Sequence, residues 1–559
     1  MKRLYCLFII ILYLAISIPS YAQFTINGKH IIYDKQNDTY MACIPEDAFG
    51  KDYEAIILLD IASDWSDLSI DGTQIAYSYT FKQVEGNKLY SIHARKGNKE
   101  INTKITFTFL PLLVLQGSFG YDYAQGSMSL YSPDATEPTI SLIKAKWRGG
   151  TTNTADKHKR NYKIKPLNFK GKGQDISLLG MREDNNWILD AGQIDLFRLR
   201  NRIATEIWND FATKPYYASK EPKTKSGVAG KVVEVILNNE YRGIYSLTEA
   251  MDRKELKLKK YDDKNQEFHG HLWKVSSWDK AQFWEIDKDY DNTQETWHAF
   301  ETKYPDIEDV NPTDYSPLYE AIDFVVNSND ETFKKEVGDY FDIPVLIDYQ
   351  LFQETLKPVD NNGKNMYWGI YDVAESQKLT LAIWDLDASV GQDWHCSTPL
   401  HPDYVLPNTD LGVKDGFNLY HRLSSLNVDN YNGKVASRYQ ELRKTYFSEE
   451  NLISRYQGYY DMLVKSGAAS REECKWSKDS DIGGYPLNFK SEIEYIKNWI
   501  INRLNYLDTN QFPISTNISE IHQKESLSTK TTYNMLGQKV GASYQGLKIK
   551  NGKKFYTTK

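Results

Sequence analysis

Two stretches of the chain repeat apolar residues at the three- and four-residue spacing of an amphipathic helix. In residues 195–211 the apolar stripe is formed by Leu196, Leu199, Ile203, Ile207 and Phe211. Residues 491–507 repeat the pattern, and Pro344 suits the first turn of a further helix that ends at residue 356. Residues at this spacing share one helix face, so each amphipathic stretch is predicted to pack one side against a core.

Short apolar runs separated by turn residues predict strands elsewhere. Residues 232–237 and 244–247 flank a polar turn and are predicted to form a hairpin, and residues 379–384 form a buried strand. Between residues 24 and 115 such runs alternate with Asn-Gly and Asp-Gly turns, which favours a small β-sandwich over residues 23–116. Residues 117–138 carry little charge and are interpreted as a linker.

The remaining chain divides by composition. Residues 139–510 mix strands and helices and are predicted to form one α+β domain, within which the charged, Trp-rich residues 252–340 are interpreted as an insertion or lid. Residues 515–559 begin with a Ser/Thr-rich stretch and continue as two short strands, so they are expected to form a β tail.

The first 22 residues have the pattern of a secretory signal peptide. Lys2 and Arg3 precede an apolar run, and Ser20-Tyr21-Ala22 offers a small-x-small cleavage site. An uncleaved anchor is the alternative, but the apolar run is short for a spanning helix. We therefore expect a secreted or cell-surface protein with no integral membrane segment after cleavage.

Charge and cysteine content narrow the function classes. The chain has 68 Lys and Arg against 75 Asp and Glu, a net charge of −7. An acidic chain without a basic block is a poor candidate for nucleic-acid binding. Three cysteines follow the predicted signal peptide, too few for a disulfide scaffold and without zinc-site spacing.

Two motifs carry candidate chemistry. Asp360 and Asn365 have the D-x-x-x-x-N spacing of a protein-kinase catalytic loop, and the strand at 379–384 runs into Asp385 and Asp387. Phosphoryl transfer needs a base for the acceptor hydroxyl and oxygen ligands that hold Mg²⁺ against the phosphates. Taken singly, the first motif is equally a polar turn, and the second equally a strand end or a Ca²⁺ loop.

These segments, together with Lys146-Trp147-Arg148-Gly149-Gly150 and Gly243-Ile244-Tyr245-Ser246, resemble the spore coat protein H (CotH) kinase family. The resemblance runs over about residues 140–508 and implies an atypical protein-kinase-like fold that uses ATP and Mg²⁺. It implies that Asp360 is the catalytic base and that Asn365 and Asp385 bind metal, with Asp387 as a further candidate ligand. The Gly149-Gly150 loop departs from a G-x-G-x-x-G phosphate cradle.

The resemblance also implies cofactor-binding residues. Lys163 occupies the strand position of the phosphate-pairing lysine, although Lys165 points the same way and could exchange roles with it. Arg148 is either a phosphate contact or a surface ion-pair partner. Glu249 and Glu206 are alternative partners for the lysine.

The C-terminal segment resembles the sorting tails of Bacteroidetes-type (type IX) secretion. The resemblance rests on Tyr533-Asn534-Met535-Leu536-Gly537-Gln538 and the closing Asn551-Gly552-Lys553-Lys554. It implies contact with outer-membrane secretion machinery; an ordinary β-module is the alternative. His395, Cys396 and His401 match no zinc pattern, so a loop is expected there.

The sequence thus predicts an α+β protein with an atypical kinase-like domain between a small β-sandwich and a short β tail. The expected activity is Mg²⁺-dependent transfer of phosphate from ATP to Ser or Thr of a surface or secreted protein. Two alternatives stay open: a non-catalytic surface adhesion protein, and a transferase that moves AMP onto proteins. Low ATP outside the cell weighs against an exported enzyme.

Overall fold

The protein has the mixed helix and strand content of an α+β fold, as predicted. The computed structural model describes residues 24–59, 66–96, 99–394, 405–410, 413–513, 532–534, 539–541, 546–550 and 553–557. The chain forms two compact units, one ending at Asn505 and the other running from Tyr506 to Lys559. The predicted signal peptide and the segment with His395, Cys396 and His401 lie outside the described residues. None of the described helices is long and apolar enough to cross a membrane.

The N-terminal region forms two sheets. Their strands are β1 (Phe24–Ile26), β2 (Lys29–His30), β3 (Ile32–Asp34), β4 (Thr39–Cys43), β5 (Tyr53–Leu59), β6 (Ser66–Ile70), β7 (Thr73–Gln74), β8 (Ser78–Phe81), β9 (Tyr90–Lys96) and β10 (Lys99–Thr108). The strand orders are β2-β1-β5-β8 and β3-β4-β10-β9-β6-β7. Phe81 of the first sheet packs edge-on against Phe107 of the second, with ring centroids 4.8 Å apart. The β-sandwich over residues 23–116 stays a prediction.

A closed barrel follows. It consists of β11 (Leu112–Gly117), β12 (Ala124–Tyr131), β13 (Thr139–Arg148), β14 (Asn161–Leu167), β15 (Trp187–Asp190), β16 (Gly230–Leu237) and β17 (Glu240–Glu249), in the order β11-β12-β13-β14-β15-β17-β16. Alternate residues of each strand fill its apolar interior. The predicted hairpin is the β16–β17 pair.

The barrel corrects the interpretation of residues 117–138 as a linker. β12 lies inside this segment and pairs with β11 and β13. Met128 and Leu130 are buried in the barrel core, while the polar Ser129 between them is only half-buried and faces the other side of the strand. The low charge of this segment therefore reflects a strand with one buried face.

A five-stranded sheet carries the two candidate motifs. Its strands are β18 (His271–Val275), β19 (Thr296–Trp297), β20 (Phe300–Tyr304), β21 (Met366–Asp372) and β22 (Ser376–Ile383), in the order β19-β20-β18-β21-β22. Residues 252–340 are therefore not a separate insertion or lid, since β18 pairs directly with β21 and places fully buried Trp273 opposite Trp368. Their weak periodicity follows from short strands joined by long turns.

Helices complete the first unit. They are α1 (Arg200–Phe211), α2 (Arg253–Leu256), α3 (Ser316–Asn327), α4 (Asp330–Tyr340), α5 (Ile343–Leu356), α6 (Val413–Gly416), α7 (Asn418–Ser425), α8 (Tyr431–Arg443), α9 (Glu449–Lys465), α10 (Ala468–Trp476) and α11 (Phe489–Tyr506). The three predicted helices correspond to α1, α5 and α11. α1 begins five residues later than predicted, because the Asp195 carboxylate accepts hydrogen bonds from the Phe197 and Arg200 amides and holds a turn before the helix.

Buried ion pairs join the barrel to α10. The Glu472 carboxylate is fully buried and accepts hydrogen bonds from Lys159 Nζ at 2.6 Å, Arg198 Nε at 2.7 Å and the Ile244 amide at 2.7 Å. Arg471 makes a paired contact with buried Glu234 of β16, at 2.8 and 2.9 Å. Because these charges are out of water, removing one partner leaves the others without compensation.

The second unit contains four short strands. They are β23 (Thr532–Asn534), β24 (Lys539–Val540), β25 (Gly546–Lys550) and β26 (Lys553–Thr557), in the order β24-β23-β25-β26. The two predicted strands of the tail fall on this sheet. Its role as a sorting signal stays a prediction.

Candidate active site

The loop between α5 and β21 holds Asp360 and Asn365 side by side. The Asn365 amide Nδ2 donates a hydrogen bond to Asp360 Oδ2 at 2.7 Å, and Lys364 Nζ lies 3.4 Å from both carboxylate oxygens. Burial raises the pKa of Asp360, and the charge of Asp385 adds to the shift. Since the side-chain Nδ2 of Asn365 already donates this hydrogen bond, the side-chain oxygen Oδ1 can serve as a metal ligand.

Asn361 ties this loop to the end of β22. Its side chain is fully buried and donates hydrogen bonds to the Trp384 carbonyl at 2.7 Å and the Asn365 carbonyl at 3.1 Å. Its own carbonyl accepts from the Tyr349 hydroxyl of α5 at 2.7 Å. The register that pairs Met366 with Ile383 already places the two loops at one end of the sheet, and Asn361 fixes the distance between them.

Four carboxylates gather at this end: Asp190, Asp360, Asp385 and Asp387. Burial raises the pKa of Asp190 and raises that of Asp387 well above its usual range, with the charge of Asp385 contributing to both shifts. Mutual repulsion of this kind is what a bound divalent cation relieves. The carboxylates do not bring three oxygens within 4.8 Å of one another. A site with fewer than three converging carboxylates suits Mg²⁺, which takes one or two carboxylates and completes its shell with water and phosphate.

The backbone is strained at two candidate metal ligands, Asn365 and Asp385. Asn365 has φ 52° and Asp385 has φ 61°, in the left-handed region that Asn and Asp tolerate better than other non-glycine residues. Strain of this kind persists where surrounding contacts enforce it and is concentrated at functional sites. Here the contacts of Asn361 supply that enforcement.

Asn201 of α1 positions the segment after Asp385. Its Nδ2 donates to Asp190 Oδ2 at 2.7 Å, and its Oδ1 accepts from the Leu386 amide at 3.1 Å. Sequence reasoning missed Asn201 and Asp190 because both lie outside the motifs, and it missed Asn361 because this residue occupies a variable position of the D-x-x-x-x-N motif. The one available signal is weak: Asn201 lies off the apolar stripe of its helix.

The outer face of the barrel forms the other wall of the cleft. The cleft is lined by residues of β13, β15, β17, α1 and the end of β22, among them Arg148, Ile188, Asp190, Asn201, Thr248, Trp384 and Asp385. The Arg148 guanidinium lies 5.4 Å from the ring centroid of Trp384. Arg148 thus lies beside the segment that contains Asp385, a candidate metal ligand.

Lys163 lies on this same outer face. In the strand register Lys163 lies opposite Ile188 of β15, which lines the cleft, and opposite Lys146 of β13. Directly paired residues of antiparallel strands point to the same side of the sheet. Burial lowers the pKa of Lys163 to about 8, and the neighbouring Lys165 and Lys146 charges contribute. Within the described residues no carboxylate lies within ion-pair distance of Lys163.

The structure corrects the choice of Glu249 as one of two candidate partners for Lys163. Glu249 is buried at the end of β17, where its carboxylate accepts hydrogen bonds from the Arg182 amide at 2.9 Å and the Ala229 amide at 3.3 Å. The alternative, Glu206, accepts from the Tyr459 hydroxyl and pairs with Arg202 at 3.3 Å. Both carboxylates hold the fold together, and neither contacts Lys163.

A separate group of potential metal ligands consists of His158, Asp479 and Asp481. Asp481 already accepts hydrogen bonds from the His158 and Lys159 amides, at 2.8 and 2.9 Å, and His158 contacts the Asp479 carboxylate. None of these three residues lines the cleft. Their internal hydrogen bonds explain the arrangement without a cation.

Comparison with known proteins identifies the family of the chain. No curated protein matches the chain. The family model described as CotH kinase protein matches residues 145–507, which include the end of β13, all of β14 to β22 and all of α11, and so every residue placed in the cleft above. The matched range covers well over half of the chain, and the protein therefore belongs to the CotH kinase family.

Proposed function

We propose that the cleft binds Mg²⁺ and ATP and transfers the terminal phosphate to a Ser or Thr hydroxyl of a protein, on an atypical kinase-like scaffold. The observation that carries the proposal is the hydrogen-bonded unit of Asp360, Asn361, Asn365 and the Trp384-Asp385 segment. One base and two metal-ligand types are thereby held together beside Arg148 and Lys163. This is the donor set that phosphoryl transfer requires.

Each residue has a distinct role in this proposal. Asp360 orients the acceptor hydroxyl and takes its proton, a task that its raised pKa suits. The oxygens of Asn365 and Asp385 hold the metal, and the buried Asp387, two residues beyond Asp385, is a further carboxylate near them. When bound, Mg²⁺ offsets the charge that develops on the phosphate oxygens.

Arg148 and Lys163 neutralise the phosphates from the barrel side. Among the described residues Lys163 has no paired glutamate, unlike the lysine of ordinary protein kinases, which an ion pair positions. In this chain the strand register and the surrounding cations orient Lys163 instead. A phosphate group would both pair with Lys163 and relieve the repulsion among these cations.

The protein's location and partners also belong to the proposal. The N-terminal pattern supports export, the C-terminal motifs support type IX secretion across the outer membrane, and an exported kinase would act on a secreted or surface protein. The net charge of −7 argues against a nucleic-acid partner.

The proposal is tested with the full mature chain, Mg²⁺ and ATP labelled on either the γ or the α phosphate, using extracts of secreted proteins as acceptor. Label from the γ position that disappears in Asp360→Asn supports phosphoryl transfer. Label from the α position alone supports transfer of AMP. Absence of Mg–ATP binding in calorimetry would contradict both activities and favour the adhesion alternative.

A further inference from the structure

Three lysines surround one tyrosine on the barrel face next to the cleft. The Nζ atoms of Lys144, Lys146 and Lys165 lie 5.0, 5.0 and 5.3 Å from the ring centroid of Tyr123. We call these three residues the lysine row. All are half-buried, and none has a carboxylate within ion-pair distance among the described residues. A protein of net negative charge thus concentrates unpaired cations at one place.

The strand register makes this arrangement costly. Lys144 lies directly opposite Lys165, and Lys146 directly opposite Lys163. Like charges in opposing positions destabilise a sheet, and burial adds to that cost. The pKa of Lys165 is lowered, first by burial and then by the charge of Lys144, although Glu308 and Asp306 oppose the shift. These two acidic residues of the protein's own loop only partly offset the row.

The centre of the row holds an unused hydrogen-bonding group. The Tyr123 hydroxyl is buried and has no hydrogen-bond partner among the described residues. Burial raises its pKa to about 12, so it remains a donor at neutral pH. Three cations around one donor form a complementary environment for a carboxylate or phosphate oxygen.

Spacing distinguishes between these two anions. Lys144, Lys146 and Arg148 occupy alternate positions of β13, about 7 Å apart along the strand. An extended polypeptide repeats its side chains on one face at the same distance, so alternate Asp or Glu residues would meet successive cations. Adjacent phosphates in a polyphosphate lie much closer together and do not match this spacing.

We propose that the lysine row docks an extended acidic segment of the acceptor protein and leads it toward the cleft. This inference rests on the proposed function, since Arg148 at the end of the row lies beside Trp384 in the cleft. Carboxylates of the segment pair with Lys144, Lys146 and Lys165, and one accepts a hydrogen bond from Tyr123. Lys163 and Arg148 remain for the nucleotide.

The test measures binding of a fluorescent peptide of alternating Glu and Ser to the full chain by anisotropy, with a Lys-Ser peptide as comparison. We expect the Glu-Ser peptide alone to bind, and Lys144→Glu to weaken it about tenfold or more. Lys144→Gln removes the charge without adding one and should give a smaller loss. Lys334→Glu makes the same charge change at an exposed position of α4 and should leave binding intact.

Two further measurements separate the outcomes. Inorganic polyphosphate that binds where the Glu-Ser peptide does not would overturn the acidic-peptide inference, as would equal binding by Lys144→Glu and the wild type. Mg–ATP affinity is measured in parallel for each variant, and Lys144→Glu should retain it. Peptide binding without Mg–ATP binding would refute the proposed kinase function and not the docking surface.

Discussion

The acidic and basic walls of the cleft are built differently. Asp360, Asn365 and Asp385 come from two loops of the five-stranded sheet, and the buried side chain of Asn361 connects those loops. Lys163 and the lysine row project from regular barrel strands and have no carboxylate partners within the described residues. One wall is fixed by short hydrogen bonds, whereas the other consists of long side chains held apart by repulsion.

This difference indicates how the two walls would meet a ligand. Metal ligands need a defined geometry, so a hydrogen-bonded scaffold prepares them at the cost of backbone strain. Cations that neutralise phosphate or carboxylate can adjust their position, because lysine is a point charge on a flexible stem. We therefore expect substitutions on the acidic wall to affect the reaction itself, and those on the basic wall to affect binding.

Asp385→Asn should produce the largest effect. The change keeps the side-chain shape and tolerates φ 61°, but it removes the charge that holds the metal. We expect phosphoryl transfer to fall by about 10³-fold, measured with γ-labelled ATP. The melting temperature without Mg²⁺ should stay level or rise, because Asp385 repels Asp360 and Asp387.

Asp339→Asn on exposed α4 is the matched control for that substitution and should change neither quantity. If Asp385→Asn retained full activity, Asp385 would not be a required metal ligand, and the proposed function would be contradicted.

Lys163→Met tests the basic wall. The loss of one charged hydrogen-bonding group should weaken Mg–ATP binding about 30-fold, equivalent to roughly 2 kcal/mol. Turnover at saturating ATP should change much less, and calorimetry combined with steady-state kinetics separates the two quantities. Lys165→Met is the comparison, since a larger effect there would mean that the two lysines exchange roles.

Asn361→Ala tests the connection between the two loops. The Trp384 and Asn365 carbonyls lose a buried donor, so we expect a loss of about 1–3 kcal/mol in the free energy of unfolding and roughly tenfold lower turnover. Asn362→Ala is a matched control, because no side-chain hydrogen bond of Asn362 is found in the described part of the chain. Equal effects of the two variants would show that the connection is unimportant.

The pH dependence of nucleotide binding should report the charge of Lys163 on the basic wall, with a smaller effect than the substitutions above. Lys163 loses its charge as the pH rises through about 8, so Mg–ATP affinity should fall a few-fold between neutral and alkaline pH. Unfolded lysine titrates near 10.5, so the unfolded state binds more protons than the folded state between these values. Lys163 therefore lowers stability below about pH 8, and stability is regained as the pH rises toward 10.5. Lys163→Met should abolish the affinity trend and reduce the rise in stability, to which Lys159 and Lys357 also contribute because burial lowers the pKa of each to about 7.

Glu249→Gln should have the smallest effect on the reaction. Its carboxylate accepts backbone hydrogen bonds that an amide oxygen can also accept, so Mg–ATP affinity should stay within about twofold of the wild type. A loss as large as that of Lys163→Met would restore Glu249 as the partner of Lys163 and overturn the structural correction.

Sequence patterns anticipated the elements with one clear period and failed where a residue's role depends on distant neighbours. The helix at Pro344 and the β16–β17 hairpin follow from local rules. The segment that contains β12 has the composition of a linker, because the polar outer face of the strand hides the alternation of Met128 and Leu130. No local rule could assign Asn361, since its partners are carbonyls brought near by the fold.

The burial of Glu472 in α10 bears on how the protein can be divided for study. Lys159 and Arg198 belong to the region around the barrel, yet their counter-charge, Glu472, lies 313 and 274 residues further along the chain, respectively. A truncated chain that ends before α10 would retain the whole cleft and leave both cations stranded in the interior. A fragment made to test the proposed activity must therefore extend through α10, because a shorter fragment could be inactive only through misfolding.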